Sequence, residues 1–261
     1  MTNPAITFSK AITRRPSSSV INGLRSHDAG NPDFAQLQQD HKAYVESLKA
    51  AGAEVLELDP LEDLADAIFV EDTALCLPNC AVLMRPGADS RRPEVAPMAP
   101  SIRQIFKTVF EINGPGSIEG GDILYTGREI LVGTSERTDH DGIAELCAFV
   151  EPKGYSVRTV ETPPGVLHFK TDCALIASNT ILSTRRLAAS GCFADYRVLC
   201  VPEGEEAAAN MIRFNDALIM SDGFAKTAQM LAAEGFNLVQ LNNSECAKID
   251  GGMSCLSLRI A

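Results

Sequence analysis

Three residue types that together can break a carbon–nitrogen bond lie far apart in this chain: Cys255 in KIDGGMSCLSLRI (248–260), His168 in VLHFKT and Glu119 in SIEGGD. A thiolate can attack an electrophilic carbon, an imidazole can carry the proton that the leaving group needs, and a carboxylate can orient that imidazole. Such a trio has to meet in space only, not in sequence. A fourth stretch, DAIFVED, crowds Asp66, Glu71 and Asp72 around Ile68, Phe69 and Val70. Carboxylates in apolar company are costly unless a cation balances them, so this stretch predicts a pocket for a positively charged group. Each feature also has a plain structural reading: a half-buried thiol, a core histidine, a glycine turn, a solvated strand end. The weight therefore rests on whether the fold brings them together.

Leu256, Leu258 and Ile260 alternate with Cys255, Ser257 and Arg259, which predicts a strand running from Cys255 to the end with the sulfur on its polar side. Gly251 and Gly252 just before it permit left-handed backbone and close approach to a ligand. The other cysteines form no CxxC pair; Cys76 and Cys80 flank a Pro-Asn turn with no second pair to complete a structural zinc site. The four histidines, His27, His41, His140 and His168, are scattered, without the DxHxD-like clusters of a metal-dependent amidinohydrolase. No metal and no organic cofactor is expected.

The elements that must position these residues follow one recurring plan of strand, tight turn, strand, helix, strand. FVEDTALCL turns at Pro78 and Asn79 into CAVLM, followed by a helix expected to begin at Ser101. GGDILYTGREILVG turns around Gly127 and leads to a helix through Ile143, Leu146 and Val150, then SVRTV. HFKTDCALIASNTILS ends in RVLCV, and NMIRFNDALIM turns at Asn215 and Asp216 and ends in NLVQL. The fifth hairpin is missing unless the chain ends supply it, CLSLRI pairing with AITFSKAIT before the helix that leads to EVLEL. The expectation is an α/β fold, a five-bladed α/β propeller of pseudo-fivefold ββαβ units closed by pairing the first and last strands, forming one catalytic domain over 1–261. A doubly wound sheet is disfavoured, because its parallel neighbours need long crossovers in place of two-residue turns.

The totals agree. A chain of 261 residues with 45% hydrophobic and 22% charged residues is ordinary globular material. Its net charge of −11 repels polyanions and argues against nucleic acid as a partner. No run approaches the roughly 18 apolar residues of a membrane span, and the first twenty residues lack the apolar stretch of a signal peptide, so a cytoplasmic location is expected.

On these motifs the chain resembles the bacterial dimethylarginine dimethylaminohydrolases, members of the pentein group of guanidine-modifying enzymes. The resemblance rests on FVED (69–72), RPGADSRR (85–92), EGGD (119–122), GTSERT (133–138), LHFKT (167–171) and KIDGGMSCLSLR (248–259), and it covers essentially the whole chain. It implies Cys255 as nucleophile, His168 as general acid and base, and Glu119 as the acid that orients it. It further implies that Glu71 and Asp72 hold the guanidinium, with Phe69 beside them in the substrate site, and that Asp66 holds the α-amino group with the backbone carbonyls of Leu24 and Ile249. Arg91 and Arg137 would grip the α-carboxylate, and the small-residue loop SSSVINGLRSH around Leu24 would be a mobile cover. The partner implied is a small molecule, a methylated arginine; a homodimer is one admitted assembly. An arginine deiminase-like hydrolase acting on free arginine is the alternative, and a non-catalytic pentein binding protein stands behind both.

Overall fold

The computed structural model describes residues 3–261 and divides them into five sheets of three strands. The chain begins with β1 (Lys10–Arg14), α1 (Phe34–Ala50) and β2 (Glu54–Leu58). The second unit is β3 (Ala74–Leu77), β4 (Cys80–Leu83), α2 (Val95–Ile105) and β5 (Val109–Glu111). The third is β6 (Ile123–Tyr125), β7 (Ile130–Thr134), α3 (His140–Val150) and β8 (Val157–Glu161). Next come β9 (Cys173–Ala177), β10 (Thr180–Ser183), the short α4 (Arg185–Ala188) and β11 (Arg197–Cys200). The last hairpin is β12 (Ile212–Phe214) and β13 (Ala217–Ser221), with α5 (Ala225–Ala233) and β14 (Asn237–Leu241), before the one-turn α6 (Ser244–Ala247) and β15 (Leu258–Ile260).

In every sheet the hairpin is antiparallel and the strand returning from the helix adds in parallel to its second strand. The fifth hairpin is made from the chain ends: β15 runs antiparallel to β1, pairing Lys10 with Ile260 and Ile12 with Leu258.

The apolar residues show why five such units form a ring. Buried side chains fall into five clusters, and each fills the seam between two successive units. Leu75 and Val82 meet Ile123 and Leu146; Leu124 and Leu131 meet Leu175 and Ile181; Ile176 and Leu182 meet Leu218 and Leu231. Ile212 and Ile219 then meet Tyr44 and Leu48 of α1, and Ile12 with Leu258 meets Leu83 and Ile102, which returns to the start. Alternate residues of one strand go to opposite seams, as Leu218 and Met220 do against Ala217 and Ile219. Both faces of each hairpin are thus covered, which is why the strands read as continuous apolar runs. The first strands of the hairpins, β3, β6, β9, β12 and β15, together line one narrow cavity of about 110 Å³ along the common axis. The expected α/β propeller of five ββαβ units is the architecture found.

Three local expectations are corrected. Cys255 is not on a strand: residues Ser254–Leu256 form a 3-10 turn, and the strand begins only at Leu258. The alternation misleads because Ser257, on the supposedly polar side, is fully buried against the Tyr44 hydroxyl at 2.7 Å. Likewise α2 begins at Val95, within a stretch that reads as a proline-rich excursion, and Ser101 is interior to it. Pro97 is tolerated because the amides of a helix's first turn have no internal partner, whereas Pro100 stands inside the helix. The first strand begins at Lys10 and excludes Ala5 to Ser9. Side-chain caps start two other helices: Asp33 accepts from Gln36 N and Asp139 from Gly142 N. Among the described residues no helix is long and apolar enough to cross a membrane.

Candidate active site

A cavity of about 260 Å³ opens where loops of several units converge. Its wall includes nine of the eleven residues expected for the site: Leu24, Asp66, Phe69, Asp72, Arg91, Arg137, His168, Ile249 and Cys255. Glu119 lies directly behind one of them and Glu71 does not reach the cavity wall.

The imidazole is placed by the 3-10 turn Phe169–Thr171, which His168 caps. Its Nε2 lies 2.6 Å from Glu119 Oε2, and Glu119 is completely buried. The other oxygen of Glu119 accepts from Gly87 N at 2.9 Å and lies 3.5 Å from Arg137 Nη1. The two glycines of EGGD are required by close approach. A Cβ on Gly120 would come within 2.0 Å of the Glu71 carbonyl oxygen, and one on Gly121 within 2.8 Å of both Asp72 Oδ1 and the His168 ring. Asp122, which follows them, was not foreseen as part of the site. Its carboxylate accepts from Phe169 N at 2.8 Å and from Ser135 Oγ at 2.7 Å, tying the histidine turn to the GTSERT loop. The fourth letter of EGGD was the available signal.

Electrostatics set the protonation states. Burial alone would lower the pKa of His168, but the carboxylates of Asp72, Asp122 and Glu119 outweigh it and push it up to about 9. The ring is therefore a cation at neutral pH. Asp72 is held below the usual carboxylate range: burial acts against this, and Arg91 and His168 overcome it. Cys255 goes the other way. Burial first, then the charges of Glu71 and Asp72, push its thiol up to about 11. These charges keep the thiol protonated at neutral pH in the protein by itself. Another cation is needed.

Asp72, Glu119 and His168 bring ligand atoms within 4.8 Å of one another. They are engaged already: Glu119 with the histidine, and Asp72 with Arg91 Nη1 at 2.6 Å and Gly121 N at 2.7 Å. Buried cations and the shared proton balance these carboxylates, so the donor set fits proton chemistry better than a metal ion.

The other expected residues divide. Asp66 accepts from Leu24 N at 2.9 Å, which ties the cover loop to the proposed amino pocket. Ser26 in the same loop donates its N–H and hydroxyl to Asp250 at 2.5 and 2.9 Å, and Leu24 is 39% exposed over the opening. Ile249 is buried beside it. Arg137 faces the cavity with one long ionic contact, whereas Arg91 is almost enclosed. Arg91 lies between Asp72 and Glu94, the latter at 2.8 Å, and donates to the Phe69 carbonyl at 3.0 Å. With the Asp66 carbonyl at 3.4 Å, its expected grip on a carboxylate is shared with four existing partners. Glu71 is placed differently. Its carboxylate accepts from Lys170 Nζ at 2.6 Å, Arg259 Nη2 at 2.6 Å and Ser254 Oγ at 2.8 Å, facing the axial cavity instead of the site. Two buried cations claim it, whereas Asp72, also ion-paired, reaches the cavity wall.

Fold and site together define a pentein, the ring-shaped class whose central cavity carries a cysteine, a histidine and carboxylates. A family model described as arginine deiminase matches residues 60–160. The N(G),N(G)-dimethylarginine dimethylaminohydrolase of Pseudomonas aeruginosa is 36% identical over 97% of this chain and 99% of its own length. The protein of the same description from Streptomyces coelicolor is 36% identical over 96% of both. A solved structure of the Pseudomonas aeruginosa protein, a cysteine-to-serine mutant complexed with citrulline, superimposes with a TM-score of 0.94 at 35% identity, covering 97% of this chain and 99% of that one. The chain belongs to the dimethylarginine dimethylaminohydrolase family.

Proposed function

We propose that this protein, acting as one catalytic domain, hydrolyses Nω-methylated arginines to citrulline and dimethylamine or methylamine. The observation that carries the reading is a cavity walled by Cys255, Asp72 and a cationic His168 whose ring is held by buried Glu119. A guanidinium is a poor electrophile that must be aligned before a nucleophile can reach its central carbon. Asp72 holds the planar cation by charge-assisted hydrogen bonds, Asp66 with the Leu24 and Ile249 backbone receives the α-amino group, and Arg137, with Arg91 behind it, receives the α-carboxylate.

The substrate's own charge supplies what the protein's side chains do not. A guanidinium seated between Asp72 and Cys255 neutralises the field that keeps the thiol protonated, so binding favours the thiolate. Sulfur attacks the central carbon, and His168, protonated at neutral pH, gives its proton to the departing nitrogen so that the amine leaves neutral. A thiouronium remains on Cys255. The now neutral His168 takes a proton from water as the oxygen adds to that carbon, and collapse breaks the carbon–sulfur bond, returns the thiolate, loses the adduct's hydroxyl proton to solvent and releases citrulline. Glu119 keeps the ring in position through both transfers.

Citrulline and amine release over a panel of substituted arginines tests the proposal; Cys255→Ser should bind substrate without turnover, and full activity in that variant ends it. A second reading, hydrolysis of free arginine, draws on the arginine deiminase match over residues 60–160. Turnover of arginine against its dimethylated form, side by side, separates the two.

A further inference from the structure

One polar side chain approaches the sulfur from outside the expected set. Asn210 ends the 3-10 turn Glu206–Ala209, just ahead of β12, and is only 8% exposed. Its Oδ1 accepts from Ser254 N at 2.9 Å, and its Nδ2 lies 3.9 Å from Cys255 Sγ. The orientation of the amide follows from its partners. The Ser254 N–H needs an acceptor, which leaves the two N–H bonds of the other end facing the sulfur. Among the described residues no other side chain donates to Sγ. Other groups that act on the sulfur are the carboxylates of Glu71 and Asp72, a backbone hydrogen bond from Gly252, and Lys170 and Arg259, both of which Glu71 already holds. The packing is close: a Cβ on Gly252 would come within 2.2 Å of Asn210 Cγ. The glycine before Met253 thus leaves room for this amide.

We propose that Asn210 is a further functional residue of the Cys255 reaction: its carbonyl fixes the turn that carries the sulfur, and its N–H donates to that sulfur as it becomes a thiolate and again as it leaves the adduct. This rests on the assignment of Cys255 as nucleophile. A donor aimed at sulfur stabilises the anionic form, and hydrogen bonds to charged groups are stronger than those between neutral ones. The long contact suits a neutral thiol in the resting enzyme and shortens when charge develops.

Asn210→Asp separates the two roles, since it keeps the acceptor for Ser254 N and replaces the donor facing the sulfur. Its kcat should fall by about 10- to 100-fold with KM within about twofold, the span expected for one hydrogen bond to a charged group. Alkylation of Cys255 by iodoacetamide at pH 8, without substrate, should slow by a comparable factor, and its pH profile should shift upward. Asn210→Ala should show the same losses together with a lower Tm, and Asn210→Ser, with a hydroxyl as small donor, should recover part of the alkylation rate. Peptide mapping locates the label. Label on a cysteine other than Cys255 defeats the nucleophile assignment itself. Wild-type kcat and wild-type alkylation of Cys255 in Asn210→Asp overturn the role of Asn210 alone.

Discussion

His168 Nε2 and Glu119 Oε2 stand 2.6 Å apart in a part of the molecule from which water is almost excluded, and the ring is held as an imidazolium. The sign of its contribution to stability follows. The folded-state pKa of His168, about 9, lies above the value of about 6.5 expected when unfolded. Protonation therefore favours the folded state, fully so below about pH 6.5, and this stabilisation is lost as pH rises through about 9. The wild-type Tm should fall between pH 7 and 9.5, and the fall should be smaller in His168→Gln. Parallel Tm curves for the two proteins across that window would contradict the assignment.

Glu71 illustrates a carboxylate whose neighbours decide its role. Glu71→Gln leaves the buried Lys170 and Arg259 without their shared counter-ion, a loss expected to cost about 3–5 kcal/mol of stability. It also removes one of the charges that keep the Cys255 thiol protonated. Urea melts should record the destabilisation, while the free thiol should react faster with iodoacetamide at neutral pH than in the wild type. A thiol that reacts more slowly would mean that Glu71 does not act on the sulfur.

Gly121 tests how tightly the site is built. Gly121→Ala drives a Cβ within 2.8 Å of Asp72 Oδ1 and of the His168 ring, displacing the guanidinium carboxylate and the proton carrier together. A shift of about 1 Å at such groups costs on the order of 100-fold in rate. The kcat for dimethylarginine should drop by about that factor with a near-wild-type circular dichroism spectrum; undiminished turnover would show that the two groups need no such precision.

The two arginines should separate in their effects. Arg137→Ala removes a side chain with a single long contact to Glu119, so KM should rise at least about tenfold, the loss of one charge-assisted hydrogen bond, with little change in Tm. Arg91→Ala leaves Asp72 and Glu94 buried without their cation and should destabilise by about 3–5 kcal/mol before any effect on KM is read. Equal Tm losses in the two variants would refute the division.

Much of the ring was legible because its local signals are short-range. EVLEL and NLVQL coincide with β2 and β14, and the turns at Pro78-Asn79 and Asn215-Asp216 join the hairpins as read. Asn215 has a positive φ of 55°, the left-handed backbone that asparagine adopts more readily than most residues. What escaped depends on distant partners. Glu71 and Asp72 are neighbours in sequence and look equivalent, yet a 3-10 turn sends one to Lys170 and Arg259 and the other to Arg91. The alternation around Cys255 suggested a strand because a period-two pattern presumes one wet face, and at the centre of a ring neither face is wet. Asn210 carries no local mark at all; only its distance to the sulfur distinguishes it from any asparagine ahead of a strand.

The closing strand Leu258–Ile260 begins just after the sulfur and pairs with Lys10–Arg14, at the far extremity of the sequence. Contacts of such separation form late in folding, after the loop between them has been ordered. The strand that follows the sulfur is thus held by the opposite end of the sequence, while Asn210 and Glu71 hold the turn that carries it. Closing the ring and seating the thiol are in this way one structural event, because the same short segment does both.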